Sequence, residues 1–112
     1  MLSVTGLKER FVDVSEVMQS EIKKLVQYQI TNKSQAVLKK IYAKNPDAKV
    51  SIEYTIIKNK QWKYESDFVF VSDWDKFVVS SHKWFKVATD LISHAFDKWK
   101  RHILWFWGKF FK

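Results

Sequence analysis

Nine cations offer this chain its clearest chemistry, which is the holding of phosphate. Lys33, Lys40 and Lys44 fall on one side of a helical stretch, with Lys39 nearby. Lys98, Lys100 and Arg101, followed by His102, form the densest basic cluster, at the end of a second helical stretch where cations also suit the helix dipole. Lys83 and Lys86 are placed by the periodicity in the first turn of that second helix. Cations there oppose the dipole, so a bound anion would relieve a cost. A solvated basic face accounts for the same residues, and both readings stand at this point.

Other chemistry has little to work with. His82, His94 and His102 are too scattered for a metal site, and no cysteine joins them. No Ser-His-Asp set, phosphate-cradling glycine loop or acid pair is visible. The expectation is a non-catalytic protein with no cofactor and no metal. Of 19 aromatic residues, Phe68, Phe70, Phe85 and Trp99 follow strand or helix periodicity and read as core. Trp105, Phe106, Trp107, Phe110 and Phe111 are too dense for one helix to bury. Trp105, Trp107 and Phe110 are therefore candidates for stacking on bases, for a homodimer seam, or for contact with a membrane interface. Wrapping of an open sheet face is a fourth use for this tail.

The elements that must position these groups fit one domain. The 112 residues are 46% hydrophobic, enough to bury a core, and only three are Gly or Pro. The net charge of +8 favours polyanionic partners, nucleic acid or an anionic membrane surface. Residues 1–75 carry 12 Lys/Arg against 10 Asp/Glu, and residues 76–112 carry 8 against 2, so most of the positive field belongs to the last third. No apolar run is long enough to span a bilayer, and the charged N-terminal stretch does not read as a signal peptide. The expectation is a cytoplasmic or matrix-facing protein, with residues 1–103 as an α+β domain and 104–112 as an aromatic, basic tail.

Phe11, Val12 and Val14 suggest an edge strand and Leu2 to Val4 another, and Ser15 suits an N-cap. Residues 16–44 read as one long helix, irregular around Thr31-Asn32-Lys33-Ser34, or as two helices with Ser34 capping the second. Asn45-Pro46-Asp47 ends it. Three strands follow: Val50 to Lys58, Trp62 to Ser72 and Lys76 to Ser80, joined by turns at 59–61 and 72–75. Residues 83–103 then read as the clearest helix, with Ser81 as its N-cap. The order (β)-α-β-β-β-α implies an antiparallel sheet of three or four strands with two helices packed on one face.

This order resembles the ribosome hibernation-promoting factors, also called the protein Y or sigma-54 modulation family. The local match is best over Trp84 to His102, an aromatic pair, then Ala88-Thr89-Asp90-Leu91, then Ala95-Phe96 and a basic run. Leu38, Ile41, Tyr42, Lys44 and Asp47 sit where that family ends its first helix, and the likeness covers roughly residues 20–103. The Trp/Phe-rich tail departs from the family's polar, Lys-rich ending. The resemblance implies a protein without enzymatic activity that occupies the mRNA–tRNA channel of the small ribosomal subunit, blocks translation, and holds ribosomal RNA through Lys and Arg on two helices. A second resemblance, over residues 34–99, is to the α-β-β-β-α double-stranded RNA-binding domain. It implies double-stranded RNA as the partner, with His82, Lys83 and Lys86 as the basic cluster opening the last helix.

Overall fold

A four-stranded sheet in the order β1-β2-β3-β4 carries a layer of helices on one face. The computed structural model describes residues 2–61, 63–73, 75–85 and 87–107, without the side chains of 82–85, 106 and 107. The strands are β1 (Gly6–Val12), β2 (Val50–Lys58), β3 (Tyr64–Ser72) and β4 (Asp75–Phe85). The helices are α1 (Glu16–Tyr28), α2 (Gln35–Lys44) and α3 (Ala88–Arg101).

The sheet is mixed, which corrects the expectation of an antiparallel one. β2 pairs antiparallel with β3, and β3 with β4, as their short turns require. β1 instead pairs parallel with β2, Leu7 opposite Ile52 and Phe11 opposite Ile56. The physical reason is the helical connection between them: a parallel pair needs a long crossover, and α1 and α2 supply it. Phe11 and Val12 do lie in this edge strand. Val14 is buried beyond its end, and residues 2–4 form no strand.

The first helical run is continuous in path but not in type. Ser15 caps α1, its hydroxyl accepting from the Met18 N–H at 3.3 Å. Residues Gln29–Lys33 widen into a π-helical turn, Ser34 sits at the break with no exposed surface, and α2 follows. The weakly helical Thr31-Asn32-Lys33 run is where the ladder opens. The widened turn brings Gln29 inward, where its Nε2 donates to Ser93 Oγ on α3 at 3.3 Å. Asn45 then ends α2 ahead of Pro46.

The last third departs furthest from expectation. β4 runs on to Phe85, so Ser81 is a strand residue and not a helix cap. α3 begins at Ala88 after Val87, whose side chain makes no capping bond. Pairing with β3 overrides the helical spacing of Trp84 and Phe85: Ser81 lies opposite Ser66 and Phe85 opposite Tyr64, with a register shift between. Beyond Arg101 the chain continues as a π-helical segment, His102–Trp107. Among the described residues the helical layer therefore holds three α-helices and two π-helical segments, where two helices were expected.

Alternation then sorts the strands. Val50, Ile52, Tyr54 and Ile56 point to the helices, as do Tyr64, Phe68 and Phe70. Trp99 stacks on Phe70 with centroids 4.8 Å apart, and Phe96 meets Phe70 edge-on at 5.3 Å. Such ring pairs add about 0.5–1.5 kcal/mol each beyond burial. The buried indole N–H of Trp99 donates to Ser72 Oγ at 3.0 Å.

Candidate nucleic-acid interface

Two helices running the same way bring most of the predicted cations to one end of the molecule. α2 ends beside the start of β2, and Asn45 Nδ2 donates to Asp73 Oδ2 at 3.3 Å. α3 ends beside the β3–β4 turn through Ser72–Trp99 and through Asp75–His102. Lys40, Lys44, Lys98, Lys100 and Arg101 thus share a pole.

Within that pole the helical period decides who faces whom. Lys40 and Lys44 are four residues apart and fall on one flank of α2, while Lys33 lies before the break at Ser34 with its ammonium 5.9 Å from the Tyr28 ring centroid. That flank faces the π-helical segment that follows α3: the Lys40 ammonium donates to the Leu104 carbonyl at 3.2 Å. The opposite flank, with Gln35 and Tyr42, is taken by the N-terminal segment, which Gln35 bonds at Leu2 and Tyr42 at Ser3. Burial pushes the Tyr42 hydroxyl above its ordinary range. Lys39 is exposed on the outer side of α2.

On α3, Ser93 faces the first helical run through Gln29, and Lys100 lies seven residues on, two turns along the same flank. The Lys100 side chain is about four-fifths buried and pairs with Asp97 at 3.1 Å. Lys98 lies two residues from Lys100, about 200° around the helix, and so points to the β4 side. Arg101 is exposed between them. The cluster that looks dense in sequence is therefore divided. Lys40, Lys44 and Lys100 line the seam between α2 and the end of α3, Arg101 borders it, and Lys33, Lys39 and Lys98 lie outside it. Among the described residues no ion pair holds Lys39, Lys98 or Arg101.

Lys83 does not join this seam. It lies in β4, near the Tyr64 end of β3, so the expectation that it opens the last helix is corrected. Its side chain, like His82's, is outside the described part, and Lys86 lies outside the described residues altogether. Of the aromatic tail, Trp105 is 76% exposed and Leu104 44% exposed, both on the π-helical segment. The Trp107 side chain and Phe110 are outside the described part.

The other surfaces hold balanced charge. α1 pairs Lys23 with Glu9 at 3.7 Å and Lys24 with Glu21 at 3.9 Å. The outer sheet face carries Lys8, Arg10 and Lys76 together with Glu53, Glu65 and Asp67. Carboxylates spread across that face would repel a phosphate chain, which leaves the helical seam as the better surface. Among the described residues no group of three His, Cys, Asp or Glu is placed to hold a metal ion. No described helix is long and apolar enough to cross a membrane.

Two contacts had no signal in the sequence. His102 reads there as part of a basic cluster, but its Nε2 lies 2.6 Å from Asp75 Oδ2 and its ring stacks on Phe77 at 4.4 Å. Ser72 reads as a turn residue, yet it receives the buried Trp99 indole. Both span 27 residues, beyond any local pattern.

No family model matches the chain, and no curated protein matches it. Among solved structures its fold is similar to the N-terminal domain of Thermus thermophilus Protein Y, with a TM-score of 0.53 and 9% identity over 91% of this chain and 96% of that one. At that identity the likeness is one of fold alone.

Proposed function

We propose that this chain is a non-catalytic, ribosome-associated RNA-binding protein of the cytoplasm, acting in the manner of a hibernation factor. In this reading it occupies the mRNA/tRNA channel of the small subunit and inhibits translation. Lys40, Lys44, Lys100 and Arg101 contact phosphates, with Lys33, Lys39 and Lys98 widening the footprint. Residues 1–103 form the binding domain and 104–112 the tail.

The observation that carries the reading is the seam, where cations from two separate helical runs meet above a sheet of Protein Y-like fold. The strand β1 ahead of α1 gives an order that opens on a strand and not on a helix. The double-stranded RNA-binding domain, α-β-β-β-α, opens on a helix, so the added strand β1 favours the hibernation-factor resemblance. Contact through Lys and Arg gives affinity with little sequence choice and a steep dependence on salt. Co-sedimentation with purified 30S subunits at low and moderate salt tests it. Binding at low salt that falls steeply with added salt, with inhibition of cell-free translation, is expected. Recovery of the protein only in the ribosome-free fraction would overturn it.

The exposed Trp105 supports a second reading, an interaction module acting through the tail. Binding to anionic vesicles but not to RNA, lost on removal of residues 104–112, would favour that reading.

A further inference from the structure

An indole ring stands in solvent on a segment that is pinned at three successive residues. His102 is held to Asp75 at 2.6 Å, Ile103 has no exposed surface, and the Leu104 carbonyl accepts from the Lys40 ammonium at 3.2 Å. Trp105 follows at once and is 76% exposed. Among the described residues no ring stacks on it, and no ammonium or guanidinium covers it. Trp99, on the last turns of α3, is by contrast fully buried against Phe70. Leaving a second indole in water forgoes that burial. Fixing its backbone in advance lowers the ordering cost of a later contact.

The neighbours of this ring are cations. Trp105 lies four residues beyond Arg101, so the two share a flank about one turn apart. Ile103 is two residues from each and faces the core, which turns that flank outward. Arg101 is exposed, and among the described residues no ion pair holds it. Lys40 keeps its charge, because the group it meets at Leu104 is a neutral carbonyl. The carboxylate of the flank is Asp97, one turn before Arg101, and Lys100 pairs with it at 3.1 Å. Asp75, on the β4 side, is taken by His102. A membrane-inserting surface would gather apolar side chains on one flank. Here the ring shares its flank with a guanidinium, a pairing that matches a base and its phosphate.

We infer that Trp105 stacks on an unpaired base whose sugar-phosphate chain lies in the adjoining seam, so that the preferred partner is single-stranded RNA. The inference rests on the nucleic-acid reading above and names the strandedness within it. Bases inside a duplex already stack on both faces and offer the ring nothing. The signature is a loss of affinity with no change in salt dependence, since an indole displaces no counterion.

The experiment measures anisotropy of the full chain with three labelled RNAs of about ten nucleotides or base pairs across a salt series. They are oligouridine, the same strand with abasic sites throughout, and a duplex. The variants are Trp105→Ala, Trp105→Leu, Trp105→Tyr and Arg101→Glu, each at an exposed position and each checked for an unchanged circular dichroism melt. Trp105→Ala and Trp105→Leu are expected to weaken oligouridine about tenfold at an unchanged salt slope, and Trp105→Tyr to keep most of the affinity. The abasic strand and the duplex are expected to be indifferent to all three. Arg101→Glu is expected to weaken every RNA and to lower the slope. A Trp105→Ala chain that binds oligouridine like wild type, while Arg101→Glu fails, overturns the stacking alone, and loss of binding to anionic vesicles would then assign the ring to a membrane surface. A loss that Trp105→Leu escapes, or one shared equally by the abasic strand and the duplex, also overturns the stacking. Wild type that binds none of the three at low salt overturns the nucleic-acid reading as well.

Discussion

His102 fastens the end of α3 to the first residue of β4: its Nε2 lies 2.6 Å from Asp75 Oδ2 while its ring stacks on Phe77. Both side chains are about four-fifths buried, so the contact is shielded from solvent. It sits beside Lys100 and Arg101 in sequence and sets where the last turn of α3 lies. His102→Ala is expected to cost about 1.5–3 kcal/mol, the range for a hydrogen bond to a charged partner. Asp75→Asn and the double variant complete a cycle in urea melts. Costs that simply add would show that the two groups do not interact.

Ser72 is expected to matter more than its size suggests. Ser72→Ala leaves the buried Trp99 indole N–H without an acceptor, at a cost of about 1–3 kcal/mol. Trp99→Ala removes a fully buried ring stacked on Phe70 and is expected to cost about 3–5 kcal/mol. Thermal melts of both variants check the order, Trp99→Ala below Ser72→Ala below wild type.

Tyr54 gives the fold an alkaline limit. Burial raises its hydroxyl above the ordinary range, and the nearby Glu9 carboxylate raises it further. Above about pH 10 the unfolded chain releases this proton while the folded chain keeps it. Tyr54 therefore contributes stability that is present below that pH and lost as pH rises through the folded value. Urea melts at pH 8 to 11 are expected to show a steeper alkaline loss for wild type than for Tyr54→Phe. Equal slopes would contradict the assignment. The hydroxyl is buried beside the Glu9 carboxylate, so Tyr54→Phe is expected to cost only about 0.5–1.5 kcal/mol at neutral pH.

Much of the sheet was legible because its signals are local. The Val50 to Lys58 strand follows from alternation alone, and Asn45-Pro46 stops α2 where the residues say it should. The parallel pairing of β1 was not legible, since partner choice depends on the crossover and not on residues 6–12 themselves. The end of β4 failed for another reason. Trp84 and Phe85 suit a helix stripe and a strand equally, and only β3 across the sheet decides between them. Lys83 was misplaced with them. The seam was half legible: spacing puts Lys40 and Lys44 on one flank, but the π-helical turn and the break at Ser34 part Lys33 from them, and Lys98 and Lys100 face different ways, which adjacency in sequence conceals.

The seam sets the order of cation effects. Lys44→Ala and Arg101→Ala are each expected to reduce the salt slope of RNA binding by about one and to weaken all sequences alike. Asp97→Asn frees Lys100 from its partner and is expected to tighten binding modestly. Filter binding at several salt concentrations measures all three. A larger loss from Lys23→Ala, on balanced α1, would show that the footprint lies elsewhere.

RNA crosslinking in cells, mapped to both residue and nucleotide, tests the central claim most directly. Crosslinks are expected from the α2 and α3 end, around Lys40 to Lys44 and Lys98 to Arg101, to RNA of the small ribosomal subunit. Crosslinks confined to residues 104–112, or none to ribosomal RNA, would contradict it.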